Sequence, residues 1–334
     1  MGWRQIGCAC LVAFLATNVA FGQPLVAAMV RPVVEAELEV PAEEARDPFA
    51  SELANGRITR GFIRHRMIHF TFDDGPRLDT TPALLDHLDE AGVRATFFVV
   101  ARGFDGRNRV DRAKAELLRD VARRGHTIGA HTYDHSRLTS LGEEAIVDQL
   151  VRSEEIIERV LGDRPVLFRA PYGARDARVD QALADRGYTH VLWNITSADV
   201  SSRSADQVVS AFRDSLDRRE RHPRGPGGIV LLHDTKPWVV EAFPQMINEL
   251  RDRNCGLLEE EGEELWDVLD DASFFHQERG ESASQHARTV ELEEAIVEAR
   301  QEVLREEARA WCEARDANDV PNADANADAS DGAN

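Results

Sequence analysis

The sequence predicts an α/β protein built as a distorted parallel (β/α) barrel, with an added acidic helix towards its C-terminal end. Two observations carry that expectation. From about residue 65, short apolar runs alternate with amphipathic stretches of ten residues or more, the pattern of a parallel sheet crossed by helices. The polar residues best suited to chemistry fall at or just beyond the ends of the apolar runs, where the catalytic rim of such a barrel lies.

Taken in order, residues 1–22 read as a secretory signal peptide. Arg4 precedes an apolar run from Ile6 to Ala20, and Ala20-Phe21-Gly22 offers a small-x-small cleavage site before Gln23. The run is shorter than the roughly 20 apolar residues a spanning helix needs, so cleavage is expected rather than an uncleaved anchor. The mature protein is then periplasmic or secreted, with no stable membrane span. Residues 23–63 have no firm period and read as an extension or linker.

Residues 64–270 form the expected main domain. Its strands are Met67–Phe72, Ala95–Val100, His126–Ala130, Val166–Arg169, His190–Ile195 and Gly228–Leu232. Its first helix, Thr81–Ala91, puts Leu84, Leu85 and Leu88 on one face, and Ala113–Arg124 repeats this with Leu117, Leu118 and Val121. A third runs from Gly142 to Leu161 and stops at Gly162; Ala205–Leu216 and Phe243–Leu250 complete the set.

Residues 271–320 read as an acidic helical extension. Its helix, Thr289–Cys312, carries an apolar stripe of Leu292, Ile296, Val303, Val297, Leu304 and Trp311, with Glu302–Arg305 and Glu306–Arg309 as supporting pairs. The last stretch, 321–334, repeats Ala, Asp and Asn and is expected to be disordered.

The net charge of −20 is unevenly placed, because residues 256–334 hold 23 Asp and Glu against 6 Arg. Neither part offers a basic surface for phosphates, so no nucleic-acid partner is expected. Of the four cysteines, Cys8 and Cys10 fall within the signal. An oxidising compartment permits a Cys255–Cys312 bridge, while two separate thiols remain the alternative.

Five motifs carry the chemistry: Thr71-Phe-Asp73-Asp74-Gly75-Pro76, His131-Thr-Tyr-Asp-His135, Arg169-Ala-Pro171-Tyr172-Gly173, Trp193 with Asp199, and Leu231-Leu-His233. The i,i+4 spacing of His131 and His135 is expected to place both imidazoles on one side of a helical turn, a geometry for two ligands to one divalent ion. A carboxylate from Asp73 or Asp74 would complete a His₂Asp set with open positions, and the other acid would be free to take a proton. Near such an acid, Arg169 would hold the carboxylate ionised and oriented. Asp199 could raise the pKa of His233 and fit it to serve as an acid.

The ordered set resembles the NodB-homology polysaccharide deacetylases, carbohydrate esterase family 4, over roughly residues 64–270. The likeness includes Leu138-Thr-Ser-Leu141 and the Gly162-Asp-Arg-Pro165 lead into Phe168-Arg169. It implies a distorted parallel β/α barrel of the NodB deacetylase type that removes N- or O-acetyl groups from polymers such as peptidoglycan, chitin or xylan. It also implies that Asp74, His131 and His135 hold one divalent metal, zinc preferred, and that Asp73 is the base, positioned by Arg169. The backbone N–H of Tyr172 would help stabilise the oxyanion, and His233, tuned by Asp199, would protonate the leaving amine. Trp193 and Leu231, together with Pro171 and Tyr172, would form the substrate pocket. Val200 follows Asp199 where members often carry tryptophan.

The expected function is hydrolysis of an acetamido or acetyl ester group on an extracytoplasmic glycan. A non-glycan amidohydrolase of the same fold and a catalytically silent glycan-binding protein are the alternatives.

Overall fold

A computed structural model of the protein describes residues 58–260, 262–270 and 283–319. The expected signal peptide, most of the 23–63 extension, part of the 271–320 segment and the 321–334 tail lie outside the described residues.

The strand Met67–Asp73 (β2) alternates Ile68, Phe70 and Phe72 with Met67, His69, Thr71 and Asp73, and both sets are buried. Such two-sided burial marks a strand in the middle of a parallel sheet. Around it lie Ile58–Thr59 (β1), Thr96–Val99 (β3), Thr127–Ala130 (β4), Leu167–Phe168 (β5), Thr189–Val191 (β6), Ile195–Thr196 (β7), Gly228–His233 (β8) and Asp267–Val268 (β9). The order is β1-β6-β5-β4-β3-β2-β8-β7, every pairing is parallel, and β9 joins the start of β2. The sheet curls into an open barrel whose end strands, β1 and β7, do not pair among the described residues.

Seven α-helices lie among the described residues: Thr81–Ala91 (α1), Arg109–Arg123 (α2), Glu143–Leu161 (α3), Ala177–Asp185 (α4), Ala205–Glu220 (α5), Pro237–Leu258 (α6) and Ala283–Asp319 (α7). Helix α1 ends at Gly92 and α3 at Gly162, with φ of 70° and 91°. These left-handed stops cost glycine least. The outer sheet residues Ile68, Phe70 and Phe72 pack with Leu84, Leu88, Phe212 and Phe243 of the helices. The inner face closes on Ile63, Met67, Phe98, Leu167, Val191, Ile229, Leu269 and Val297.

Several expectations are corrected. The sheet begins at Ile58, inside the stretch expected as a linker, because β1 pairs with β6. The single strand His190–Ile195 is two strands, separated where the Leu192 N–H donates to the Thr59 carbonyl and the Asn194 side chain donates to the Gly61 and Gly227 carbonyls. Helix α2 starts earlier than expected, because Asn108 caps it by accepting from the N–H groups of Val110 and Asp111. Helix α6 begins at Pro237, where a proline suits the first turn, and runs through Pro244.

Helix α7 docks on the barrel by part of the expected stripe: Val297 is buried and Leu304 and Trp311 are half-buried, whereas Val303 is 43% exposed. Gln301 and Ala308, which the apolar pattern did not include, are buried on the same face. Gln301 donates to the Leu265 carbonyl at 2.9 Å and accepts from its N–H at 2.7 Å. Arg300 clasps both carboxylate oxygens of Asp267. A Cys255–Cys312 disulfide fastens the helix to α6. Among the described residues, no helix is long and apolar enough to cross a membrane.

Candidate active site

Parallel strands that start together also end together, and the five motifs meet at the C-terminal ends of β2, β4, β5, β7 and β8. Asp73 and His233 are register partners on β2 and β8, so both side chains point to the inner face. Asp74 leaves that alternation with φ of 75°, which swings its carboxylate into the same mouth. Gly75 follows because its neighbour leaves no room: a Cβ there would lie 2.0 Å from Asp234 Oδ2.

Arg169 is fully buried and fixes Asp73. Its Nη1 donates to Asp73 Oδ1 and to Thr71 Oγ1, each at 2.7 Å. Its Nε and Nη2 donate to the Val191 and Leu192 carbonyls at 2.9 and 3.2 Å. Burial lowers the guanidinium pKa while the Asp73 carboxylate works against that. An arginine starts high enough to remain a cation.

Asp74, His131 and His135 form a cluster whose ligand atoms all lie within 4.8 Å of one another. Asp74 Oδ1 stands 3.1 Å from His135 Nε2 and 3.5 Å from His131 Nε2. That buried oxygen has no hydrogen-bond partner within the described chain. An orphaned carboxylate oxygen facing two imidazole nitrogens fits a divalent cation shared by the three groups. Burial opposes ionisation of Asp74, but the nearby His135, His131 and His233 outweigh it and hold its pKa at about 2. His131 Nδ1 donates to the Arg169 carbonyl at 2.7 Å, which leaves Nε2 free as a ligand. Burial also lowers the pKa of His131, against the pull of Asp73 and Asp74, and a ligand imidazole must be neutral.

The expected helical turn between the two histidines is not there. Residues 131–137 form a loop with φ of 68° at both Thr132 and His135. Gln149 of α3 stabilises it by accepting from the N–H groups of Tyr133 and Asp134 at 3.1 and 3.2 Å, and Thr132 Oγ1 accepts from the His135 N–H at 3.0 Å.

His233 Nδ1 donates to Asp199 Oδ2 at 2.9 Å. Burial disfavours the imidazolium, yet Asp199, Asp73 and Asp74 together raise its pKa above the ordinary value. Tyr172 has φ of 63°, its ring meets His135 edge-on at 4.9 Å, and the Arg137 guanidinium stacks on it at 4.4 Å. Pro171 opens that tight turn and is buried. Trp193 lies against the turn, with the Arg169 guanidinium 5.5 Å from its ring. Leu231 is the register partner of Thr71, on the inner face below His233. A depression of about 420 Å³ opens beside Asp74 and His135, with Val100, Arg102, Phe104 and Lys114 on its wall.

Every non-glycine residue with positive φ among the described residues borders this site: Asp74, Thr132, His135, Tyr172 and Ala198. Each such conformation costs on the order of 1–3 kcal/mol, and clusters of them mark functional sites. Sequence reasoning missed Thr71 as a partner of Arg169, although it opens a quoted motif, and it missed Gln149, which carries no sequence signal. It also missed Asp234, buried beneath the Gly75 turn and bonded to the Thr81 hydroxyl. Burial pushes Asp234 up to about 7.

A family model described as polysaccharide deacetylase matches residues 63–191. A peptidoglycan-N-acetylglucosamine deacetylase of Bacillus cereus is 28% identical over 192 residues, which are 56% of this chain and 64% of that protein. A chitooligosaccharide deacetylase of Sinorhizobium fredii is 33% identical over 171 residues, 51% of this chain and 73% of that one. Among solved structures, a peptidoglycan N-acetylglucosamine deacetylase bound to a naphthyl benzamide superposes with a TM-score of 0.52 at 27% identity, over 62% of this chain and 91% of that one. The chain spans only 40% to 64% of the length of four curated relatives it matches.

Proposed function

The chain belongs to the polysaccharide deacetylase family, and from that premise we propose that it hydrolyses N-acetyl groups, or O-acetyl esters, on an extracytoplasmic glycan of the peptidoglycan or chitin type. The observation that carries this reading is the opposition of two separately tuned groups, Asp73 held by Arg169 and His233 held by Asp199, across the Asp74–His131–His135 cluster.

One divalent ion, zinc preferred, held by Asp74, His131 and His135 would polarise the acetyl carbonyl and acidify a water beside it, to a pKa of about 7 in zinc enzymes. Asp73 then takes the proton from the attacking water, its carboxylate kept in place by Arg169. The backbone N–H of Tyr172 donates to the carbonyl oxygen as negative charge develops there. His233, held cationic by Asp199, delivers its proton to the leaving nitrogen, so that the C–N bond breaks to give a free amine and acetate. Trp193, Leu231 and Pro171 enclose the acetyl methyl and exclude water from it.

Export of the mature chain accords with the signal-like first 22 residues and with the Cys255–Cys312 disulfide, which suits an oxidising compartment. Residues 64–270 would supply the chemistry, with helix α7 bracing them through Val297, Gln301 and the Cys255–Cys312 disulfide.

The test is acetate release from N-acetylated chito-oligosaccharides, peptidoglycan and acetylxylan, with zinc removed by chelation and then restored. Acetate from at least one glycan, lost on chelation and regained with metal, is expected. Release that chelation leaves untouched would contradict the proposal.

A further inference from the structure

The depression of about 420 Å³ lies on the catalytic rim itself, since Asp74 and His135 of the proposed metal set form part of its wall. The rest of that wall comes largely from chain beyond the C-terminal ends of strands: Gly75 after β2, and Val100 with the turn Ala101–Phe104 after β3. Lys114, on α2, completes it. A group seated there sits beside the ligand side chains.

The turn is tied to the loop that carries both histidines. The N–H groups of Ala101 and Arg102 donate to the Thr132 and Tyr133 carbonyls at 3.1 and 2.7 Å, and Phe104 is buried in the core. Arg102 is thus fixed through its backbone, while its side chain is exposed and has no ion partner among the described residues. Lys114 folds over Gly103, where a Cβ would stand 3.6 Å from its ammonium nitrogen.

The acids around these two cations are engaged elsewhere. Asp79 feels the charge of Lys114, but Arg77 already holds both its oxygens, at 2.8 and 2.5 Å. Asp105 pairs with Arg107 at 2.5 Å and Arg159 at 3.5 Å. Within the centre, Asp73 is answered by Arg169 and Asp199 by His233. The ligand Asp74 is the one carboxylate on the wall among the described residues. Past His135 the positive rim continues to Arg137, which stacks on Tyr172 at 4.4 Å and also lacks an ion partner among the described residues. In a chain of net charge −20, the mouth of the site is locally basic.

We infer that Arg102 and Lys114 form an anion subsite beside the metal cluster, taking a carboxylate or phosphate substituent on the sugar next to the one deacetylated. The inference rests on the deacetylase reading and narrows its substrate to an anionic glycan. A guanidinium binds such oxyanions through paired charge-assisted hydrogen bonds, and an ammonium adds a compact charge. Partial enclosure by the wall limits screening by salt.

The experiment compares kcat/KM for acetate release by the zinc-loaded protein from one N-acetylated chito-oligosaccharide in three forms: unsubstituted, carboxymethylated and phosphorylated. Wild type is expected to favour at least one charged form by about tenfold, the scale of one charge-assisted hydrogen bond. The better charged form identifies the oxyanion. Arg102→Gln should cut the preference, Arg102→Lys should keep most of it, and Arg102→Gln with Lys114→Gln should abolish it. Arg218→Gln removes a charge at the other end of the barrel, where α5 leads back to the start of β8, and should leave the preference unchanged. No preference in wild type, one that the double variant retains, or one that Arg218→Gln lowers equally, overturns the inference. If wild type releases no acetate from any form, the deacetylase reading has failed, and calorimetric binding of the same three oligosaccharides judges the subsite alone. Selective binding of a charged form that the double variant abolishes supports it, and equal binding of all three, or of none, overturns it.

Discussion

Asp199 Oδ2 accepts two hydrogen bonds from His233, one from its backbone N–H at 2.8 Å and one from its ring Nδ1 at 2.9 Å. One carboxylate oxygen thereby fixes the end of β8, the ring orientation and the tautomer together. His233 Nε2 is left facing the mouth, 3.9 Å from Asp74 Oδ2. The Asp199 loop is itself anchored, because the Trp238 indole N–H donates to the Asp199 carbonyl at 2.8 Å. A tryptophan thus reaches Asp199 from the helix after His233, although Val200 occupies the position next to Asp199 in sequence.

Asp199→Asn should expose that tuning. The raised pKa of His233 means that the acid form survives above the ordinary histidine value and is lost as pH rises through the raised one. Without the Asp199 charge, the alkaline limb of the kcat/KM profile should move to lower pH, and turnover should drop on the order of 10²-fold. A limb that stays in place would remove His233 from the role of acid.

Two buried histidines outside the chemistry predict a pH dependence of stability. Burial lowers His190 to about 3 and His126 to about 4. The unfolded chain, with histidine near ~6.5, binds more protons than the folded one below that value. Their contribution is therefore complete above about pH 6.5 and lost as pH falls through the folded values. Asp234, raised to about 7, acts in the opposite sense over part of that window. The informative quantity is thus the slope of unfolding free energy between pH 6.5 and roughly 4.5. Denaturant titration of His190→Gln should give a slope less positive in pH than wild type, and an unchanged slope would mean that His190 titrates normally.

The docked helix predicts a separation of stability from activity. The Cys255–Cys312 bridge closes a loop of 57 residues, worth about 4 kcal/mol in the chain-entropy account. Cys255→Ser with Cys312→Ser should lower the thermal midpoint while preserving acetate release per folded molecule, since α7 meets the inner cluster through Val297 and, among the described residues, supplies no group to the catalytic mouth. Loss of activity in the folded variant would show that the helix shapes the substrate groove.

How far the sequence could be read depends on where the signal sits. Helix α1 has the expected bounds because Leu84, Leu85 and Leu88 repeat cleanly and Gly92 stops it. The site residues were legible because the motifs follow the strands, and parallel strands gather their ends. What failed was decided by tertiary partners. The His131–His135 loop depends on Gln149, which lies on another helix and has no local trace. Strands β1 and β9 have two residues each, too few for a period, and α4 is a nine-residue helix. The α7 stripe was misplaced at Val303 because, in a helix so rich in alanine and charge, the docked face is set by Gln301, Arg300 and Cys312 as much as by apolar periodicity.

The central claim is that neighbouring carboxylates have separate tasks, Asp74 holding the metal and Asp73 moving the proton. Metal content and acetate release of zinc-loaded Asp73→Asn and Asp74→Asn variants test it most directly. Asp73→Asn should retain one equivalent of metal while losing on the order of 10²–10⁴-fold in turnover, and Asp74→Asn should lose the metal itself. An Asp73→Asn protein that loses its metal, beside an Asp74→Asn protein that keeps it, would contradict the account.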